Sequence, residues 1–246
     1  MLSHLIKRSI GEVSAQYFLI FSYMRGIKFT NGEYYHIYNR AVADSLLFRE
    51  DEDYKIFKKC LRDFNNKSYY EERAFMARKN IKELNSFLAG LKKIVVINAY
   101  NLLPNHYHLI LKQLTDDGIS KFLHKIGYSY TNFINKKYNR SGRLFQGTYK
   151  AIHIDNDDYL LWLSAYINGN SQIHKIADTE DYPWTSYGFF LGKKLDDLVT
   201  DKDIILDHFS GVQGLNPAIE YKKFVKMVIK ESRNKKDIDK YLIEKS

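Results

Sequence analysis

The chain has 246 residues, of which 45% are hydrophobic and only three are proline, and it carries a formal net charge of +9. That composition excludes a disordered or low-complexity chain and is long enough to bury a sizeable core. Lys and Arg number 38, beside 20 Tyr and 15 Phe. The pairing suits a nucleic-acid partner, since cations neutralise phosphates and flat rings stack on unpaired bases, although a basic protein with a tyrosine-rich core has the same composition. Cys60 is the only cysteine, which rules out an internal disulfide and points to a reducing, cytoplasmic compartment.

Near the start, Lys7 and Arg8 precede a short apolar run from Ala15 to Tyr23. It is too short to span a bilayer and no small-residue cleavage pattern follows, so no membrane association is expected. The folded part is expected to begin near Met24, leaving 1–23 as an extension, disordered or ahead of the native start. After Asn31-Gly32, a Tyr- and Ile-rich stretch to Ala41 predicts a first strand. From Glu50 to Phe64, Tyr54, Phe57 and Leu61 recur at helical spacing between lysines, predicting an amphipathic helix with a basic side. Residues 66–92 are charged and helix-prone and are expected to form a helical insertion.

Two strands follow, Ile94 to Tyr100 and His106 to Leu111, with Pro104 interrupting the pairing between them. Apolar residues from Ile119 to Ile134 at intervals of three and four predict a helix reaching about Tyr138. The basic turn Lys136 to Arg143 leads to a further strand within Leu144 to Ile154. Asn156-Asp157-Asp158 is a helix start with a capping side chain and acids in the first turn. That helix is expected to end near Asn168, with Gly169 as the stop signal. Helical stretches around 201–209 and 217–232 precede a Lys- and Glu-rich tail.

The quartet Asn105-His106-Tyr107-His108 is the most informative motif. Alternate strand side chains point to opposite faces, so His106 and His108 emerge together while Tyr107 points into packing. Two neutral imidazoles one strand period apart can grip a divalent metal and leave positions for a third ligand, water or phosphate. Spacing alone is weak support, and a partner is needed elsewhere. Tyr166 and Asn170 share a helical face if the last turn of their helix persists. A phenol beside a metal-bound phosphate is a competent nucleophile, and the carboxamide offers an oxygen ligand. From spacing alone, the stripe of Tyr159, Trp162 and Tyr166 reads more readily as core than as a site.

From about Met24 to about Val225, five ordered segments, YYHIYNRAV (34–42), AYNLLPNHYHLIL (99–111), YTNFINKKYNRSGRLFQGTYKAI (130–152), YINGN (166–170) and YPWTSY (182–187), resemble the single-tyrosine transposases of the His-hydrophobe-His superfamily, in particular the branch associated with repetitive extragenic palindromes. The resemblance implies an α+β fold, ferredoxin-like, with an antiparallel sheet carrying the histidines on a central strand, helices mainly on one face, and a C-terminal helical segment. It implies a catalytic unit over 24–190 with 191–246 as an appendage. It also implies Mg²⁺ or Mn²⁺ held by His106 and His108, with Asn170 as third ligand, and Tyr166 attacking single-stranded or hairpin DNA to leave a 5′-phosphotyrosine link. Such enzymes act as monomers or as homodimers that exchange the tyrosine helix. Two positions depart from the family pattern: Ser171 stands where proline usually follows the asparagine, and Thr148 where arginine usually follows Phe-Gln-Gly.

Around that site, Arg40 is expected to contact phosphate, and Lys136, Lys137, Arg140 and Arg143 to form a DNA track, with Tyr138 and Tyr149 available to stack on bases. His36 either packs beside the sheet or lies near bound DNA. His124, His153, His174 and His208 have no partner at useful spacing, and Trp184 and Tyr187 are expected to be structural. Two other readings stay open: a domesticated protein that binds nucleic acid without cleaving it, and a metal nuclease that uses water and forms no covalent link.

Overall fold

The computed structural model describes residues 27–43, 45–66, 92–210 and 216–234. The expected N-terminal extension, nearly all of the helical insertion and most of the charged tail lie outside them.

The first six elements are β1 (Tyr34–Arg40), α1 (Asp51–Asp63), β2 (Val95–Leu103), β3 (His106–Gln113), α2 (Gly118–Lys137) and β4 (Lys150–Ile154). They form one antiparallel sheet in the order β2-β3-β1-β4. A strand-helix-strand, strand-helix-strand run of this kind is the ferredoxin-like arrangement, and it puts β3 and its histidines inside the sheet. Period-two alternation divides the strands, apart from a register shift in β2 between Ile97 and Ala99. Tyr35, Ile37, Tyr107, Leu109 and Leu111 pack with Phe57, Leu61, Phe122, Ile126 and Tyr130 of α1 and α2.

On the opposite face, Ala99, Ile110, Ile152 and Ile154 pack under α3 (Asp157–Ile173). The chain continues through α4 (Tyr187–Phe190), α5 (Asp203–Leu206), a 3₁₀ turn at Asp207–Phe209 and α6 (Pro217–Asn234). Phe190, Phe209, Tyr221, Phe224, Val225, Val228 and Ile229 from this segment join the same core. Helices therefore cover both faces of the sheet instead of mainly one. The reason is the apolar content of the histidine face: Ile110, Ile152 and Ile154 demand a cover, which α3 and α6 supply.

Local sequence accounts for the ends of these elements. Glu50 and Asp53 form a capping box at the start of α1, and the Asn156 side chain accepts from the Tyr159 N–H at the start of α3. The strand expected across 144–154 is confined to Lys150–Ile154, with Phe145 making an isolated bridge to Ala41. The larger correction concerns Gly169. It does not stop its helix, which runs on to Ile173. A Cβ at 169 would stand 2.6 Å from Ile229 Cγ1 and 3.7 Å from Val225 Cγ1, so the glycine is where α6 seats against α3.

Candidate active site on the histidine face of the sheet

The register sets the site. In the pairing of β1 with β3, Arg40 lies opposite His106 and Tyr38 opposite His108; β4 places Lys150 opposite Tyr38, and β2 places Asn101 opposite His108. The Asn101 amide donates to the Ile167 carbonyl at 2.7 Å, pinning the middle of α3 to the sheet. A second anchor is Asn168, which donates to the Tyr221 hydroxyl at 2.8 Å and accepts from Ser186 Oγ at 2.7 Å. Buried amides that bond across elements in this way fix the rotation of a helix more tightly than apolar contact does.

With that rotation fixed, Tyr166 and Asn170 both lie on the histidine side. The Tyr166 ring is buried, stacks on Trp162 with centroids 5.2 Å apart, and stands edge-on to His108 at 6.4 Å. His106 and His108 face each other at 5.1 Å and 88°. The Asn105 amide oxygen accepts from His106 Nδ1 at 2.7 Å, and His108 Nδ1 is 2.9 Å from His36 Nε2. Both δ nitrogens are thus engaged, whereas His106 Nε2, His108 Nε2 and both amide atoms of Asn170 are buried without a hydrogen-bond partner.

Burial holds all these imidazoles neutral. His36 is pushed down to about 3 by desolvation alone. His106 is also pushed down to about 3, by burial first and then by His174 and Arg40; the Asn170 amide beside it acts in the opposite sense. His108 lies well below the ordinary histidine range, again chiefly through burial, with His106, His36 and His174 adding to the effect. Neutral imidazoles are the form that binds a cation, and the Asn170 amide beside His106 adds an oxygen to a mixed donor set able to hold a divalent ion. Among the described residues, no three His, Cys, Asp or Glu side chains gather into a metal cage. The residues fit an ion held by two histidines and one uncharged oxygen, with the remaining positions open to water or phosphate.

A cleft of about 330 Å³ opens beside His106, lined by Tyr38, Arg40, Gln146, Thr148 and Lys150 among others. Arg40 lies in this cleft with His106. Thr148 lines the same cleft, and Lys150 supplies a cation on that wall. A larger cleft of about 410 Å³ lies between the end of α3 and α6. It contains none of the site histidines, and its Glu180 already pairs with Lys222 at 2.7 Å and Lys226 at 3.6 Å.

Much of the expected DNA track is not at this cleft. Lys137 contacts Glu50 and Glu52 at 2.6 Å and Asp53 at 2.8 Å. Although desolvation pulls its ammonium down, bonding to these three carboxylates leaves it raised above the ordinary lysine range, so it is committed to joining α1 to α2. Tyr138 donates to Asp53 at 2.8 Å. Tyr149 packs against Phe29 and the core beneath α1 and α2; neither tyrosine presents a free ring to the histidine face. Arg140 bonds the Arg143 carbonyl at 3.2 Å, while Lys136 and Arg143 are exposed.

Three residues at the site were missed. Tyr38, half-buried and with its phenol pushed up to about 12 by desolvation, rests 5.7 Å from the His108 ring; its strand period with His36 and Arg40 was the available signal. Lys150 shares the face of Ile152 and Ile154. His174 stands edge-on to His106 at 5.2 Å, and its spacing of four from Asn170 was masked by reading Gly169 as a stop. His153 pairs with Glu33 at 2.9 Å, away from the site, and Trp184 stacks on Tyr54 at 4.5 Å as a structural residue.

The family model described as "Transposase IS200 like" matches residues 66–170, a span that includes both histidines, Tyr166 and Asn170. Among solved structures, the chain is similar to one described as "Structure of the REP associates tyrosine transposase bound to a REP hairpin". The TM-score is 0.51 with 17% identity, covering 74% of this chain and 93% of that one. No curated protein matches the chain.

Proposed function

We propose, from the match of residues 66–170 to the family model described as "Transposase IS200 like", that the protein is a metal-dependent enzyme that cuts and rejoins single-stranded or hairpin DNA. The observation that carries this reading is that His106, His108 and Asn170 lie together on the side of the sheet that also holds Tyr166, with His106 Nε2, His108 Nε2 and the Asn170 amide atoms buried and left without a hydrogen-bond partner in the fold. The similar solved structure, a transposase bound to a REP hairpin, supports DNA of that kind as substrate.

In the proposed reaction, Arg40 and Lys150 hold the strand in the cleft by its phosphates, and His106, His108 and Asn170 hold the cation. Bound there, Mg²⁺ or Mn²⁺ supplies Lewis-acid charge to a phosphoryl oxygen. Tyr166 loses its phenolic proton and its oxygen forms a bond to phosphorus. The bond from phosphorus to the 3′ oxygen breaks, and that oxygen takes up a proton, leaving a 5′-phosphotyrosine and a free 3′-hydroxyl. Rejoining is the reverse displacement by an incoming 3′-hydroxyl. One chain carries both halves of the site, so the reaction as proposed requires no tyrosine from a second copy.

Incubation with a hairpin-bearing single strand and Mn²⁺ is expected to give a covalent adduct on a denaturing gel, absent in Tyr166→Phe. An undiminished adduct in that variant overturns the nucleophile; cleavage without any adduct, surviving Tyr166→Phe, identifies a hydrolytic nuclease. A second reading, a binder that no longer cleaves, is favoured by one observation: Tyr166 is fully buried. Salt-sensitive binding with intact DNA across several divalent metals distinguishes it.

A further inference from the structure

His36 is buried on β1, 1% exposed, and takes no part in the reaction as proposed. Its Nε2 lies 2.9 Å from His108 Nδ1, the rings nearly parallel at 20°. Its own Nδ1 is buried with no partner. We propose that His36 is a positioning residue that holds His108 in the tautomer protonated at Nδ1, leaving the Nε2 lone pair aimed into the site.

Between two neutral imidazoles at this distance there is one proton. If His36 donated it, His108 would carry its hydrogen on Nε2 and present a donor to the space a cation has to occupy. If His108 donates, its Nε2 is a bare lone pair. The neighbouring histidine is arranged in the second way: the Asn105 amide oxygen accepts from His106 Nδ1, which frees His106 Nε2. The same arrangement at His108 makes the two ε nitrogens equivalent ligands, each oriented by a partner behind it. His36 Nδ1 has no partner in either arrangement. With His108 donating, that nitrogen must bear the remaining hydrogen, an unsatisfied buried donor that an apolar residue at 36 would avoid. The fold tolerates the cost because only a side chain with an acceptor at this point orients His108.

The tautomer claim stands on geometry, while its consequence for metal rests on the proposed function, and the test separates the two. In the full-length, metal-free protein labelled with ¹⁵N-histidine, long-range proton-nitrogen spectra should show His108 protonated at Nδ1 and bare at Nε2. Observation of the opposite tautomer in the wild type overturns the proposal without any variant. Titration with Mn²⁺ should then show His36→Leu binding about 10- to 100-fold more weakly. His36→Gln, whose amide oxygen can stand where the ring Nε2 stands, should stay within about threefold of wild type. Equal affinity in wild type and a folded His36→Leu overturns the proposal. If instead wild type and His108→Ala bind Mn²⁺ equally, the metal-dependent reading fails, and the wild-type spectrum still decides the tautomer.

Discussion

Gly169→Ala separates two accounts of one residue. In an exposed helix interior the change should stabilise by about 1 kcal/mol, because alanine is the better helix former. Here the new methyl would stand 2.6 Å from Ile229 Cγ1 and 3.1 Å from its Cδ1, against an ordinary carbon contact of about 3.5 to 4 Å. The nearer atom is not the free end of the side chain, so relief requires α6 to shift by roughly 1 Å or Ile229 to leave its rotamer. Overpacking of this kind costs about 1 to 3 kcal/mol. The two effects sum to a net loss of about 1 kcal/mol, or roughly 0.5 M in the urea midpoint at unchanged slope. Ile229→Ala removes both clashing carbons and alone should cost about 2 to 5 kcal/mol. In that background Gly169→Ala should be neutral or stabilising, giving a coupling of about 1 to 2 kcal/mol in the double-mutant cycle. Stabilisation by Gly169→Ala in the wild-type background, with no coupling to Ile229, would refute the close approach of α3 and α6.

Asn170→Leu removes a buried amide whose atoms have no partner; metal-free stability in urea should hold or rise, while Mn²⁺ affinity measured by calorimetry falls. Arg40→Ala and Lys150→Ala should each weaken hairpin binding and lower the salt slope by about 1 in fluorescence anisotropy. Lys137→Met, by contrast, should leave that slope unchanged while lowering the melting temperature, because it strips the buried Asp53 of its ion-pair partner. The folded values of His36 and His106 near 3, and the lowered value of His108, lie below the ordinary 6.5. Between these limits the unfolded chain binds more protons than the folded one, so stability is full above about pH 6.5 and falls as the pH drops toward 3. A urea midpoint that stays flat from pH 7 to pH 5 would contradict neutral buried imidazoles.

Much of this molecule is legible in one dimension. Period-two alternation set His106 and His108 on one face and Tyr107 on the other, because a strand has no other way to direct its side chains. The spacing of Phe57, Leu61, Phe122 and Ile126 marked α1 and α2 as helices with one buried side, and the Asn156 cap placed the start of α3. These are local rules, satisfied by a few neighbouring residues whatever surrounds them.

What lies between elements was decided elsewhere. Gly169 reads as a stop until Ile229, sixty residues on, is seen to fill the space a side chain would take. Lys137, Tyr138 and Tyr149 read as a DNA track until Asp53 and the core beneath α1 and α2 are seen to occupy them. Helix cover on the histidine face depends on α6 meeting α3, a contact with no periodic signature. His36 acquires a partner only through the register of β1 against β3, and His174 only through the unbroken last turn of α3. The sequence by itself determined the elements, their buried faces and the pairing of two imidazoles, since backbone geometry propagates those over a few residues. Which polar groups are spent on structure and which are left facing a site was decided by the tertiary fold alone, because each such group is satisfied by a partner distant in the chain.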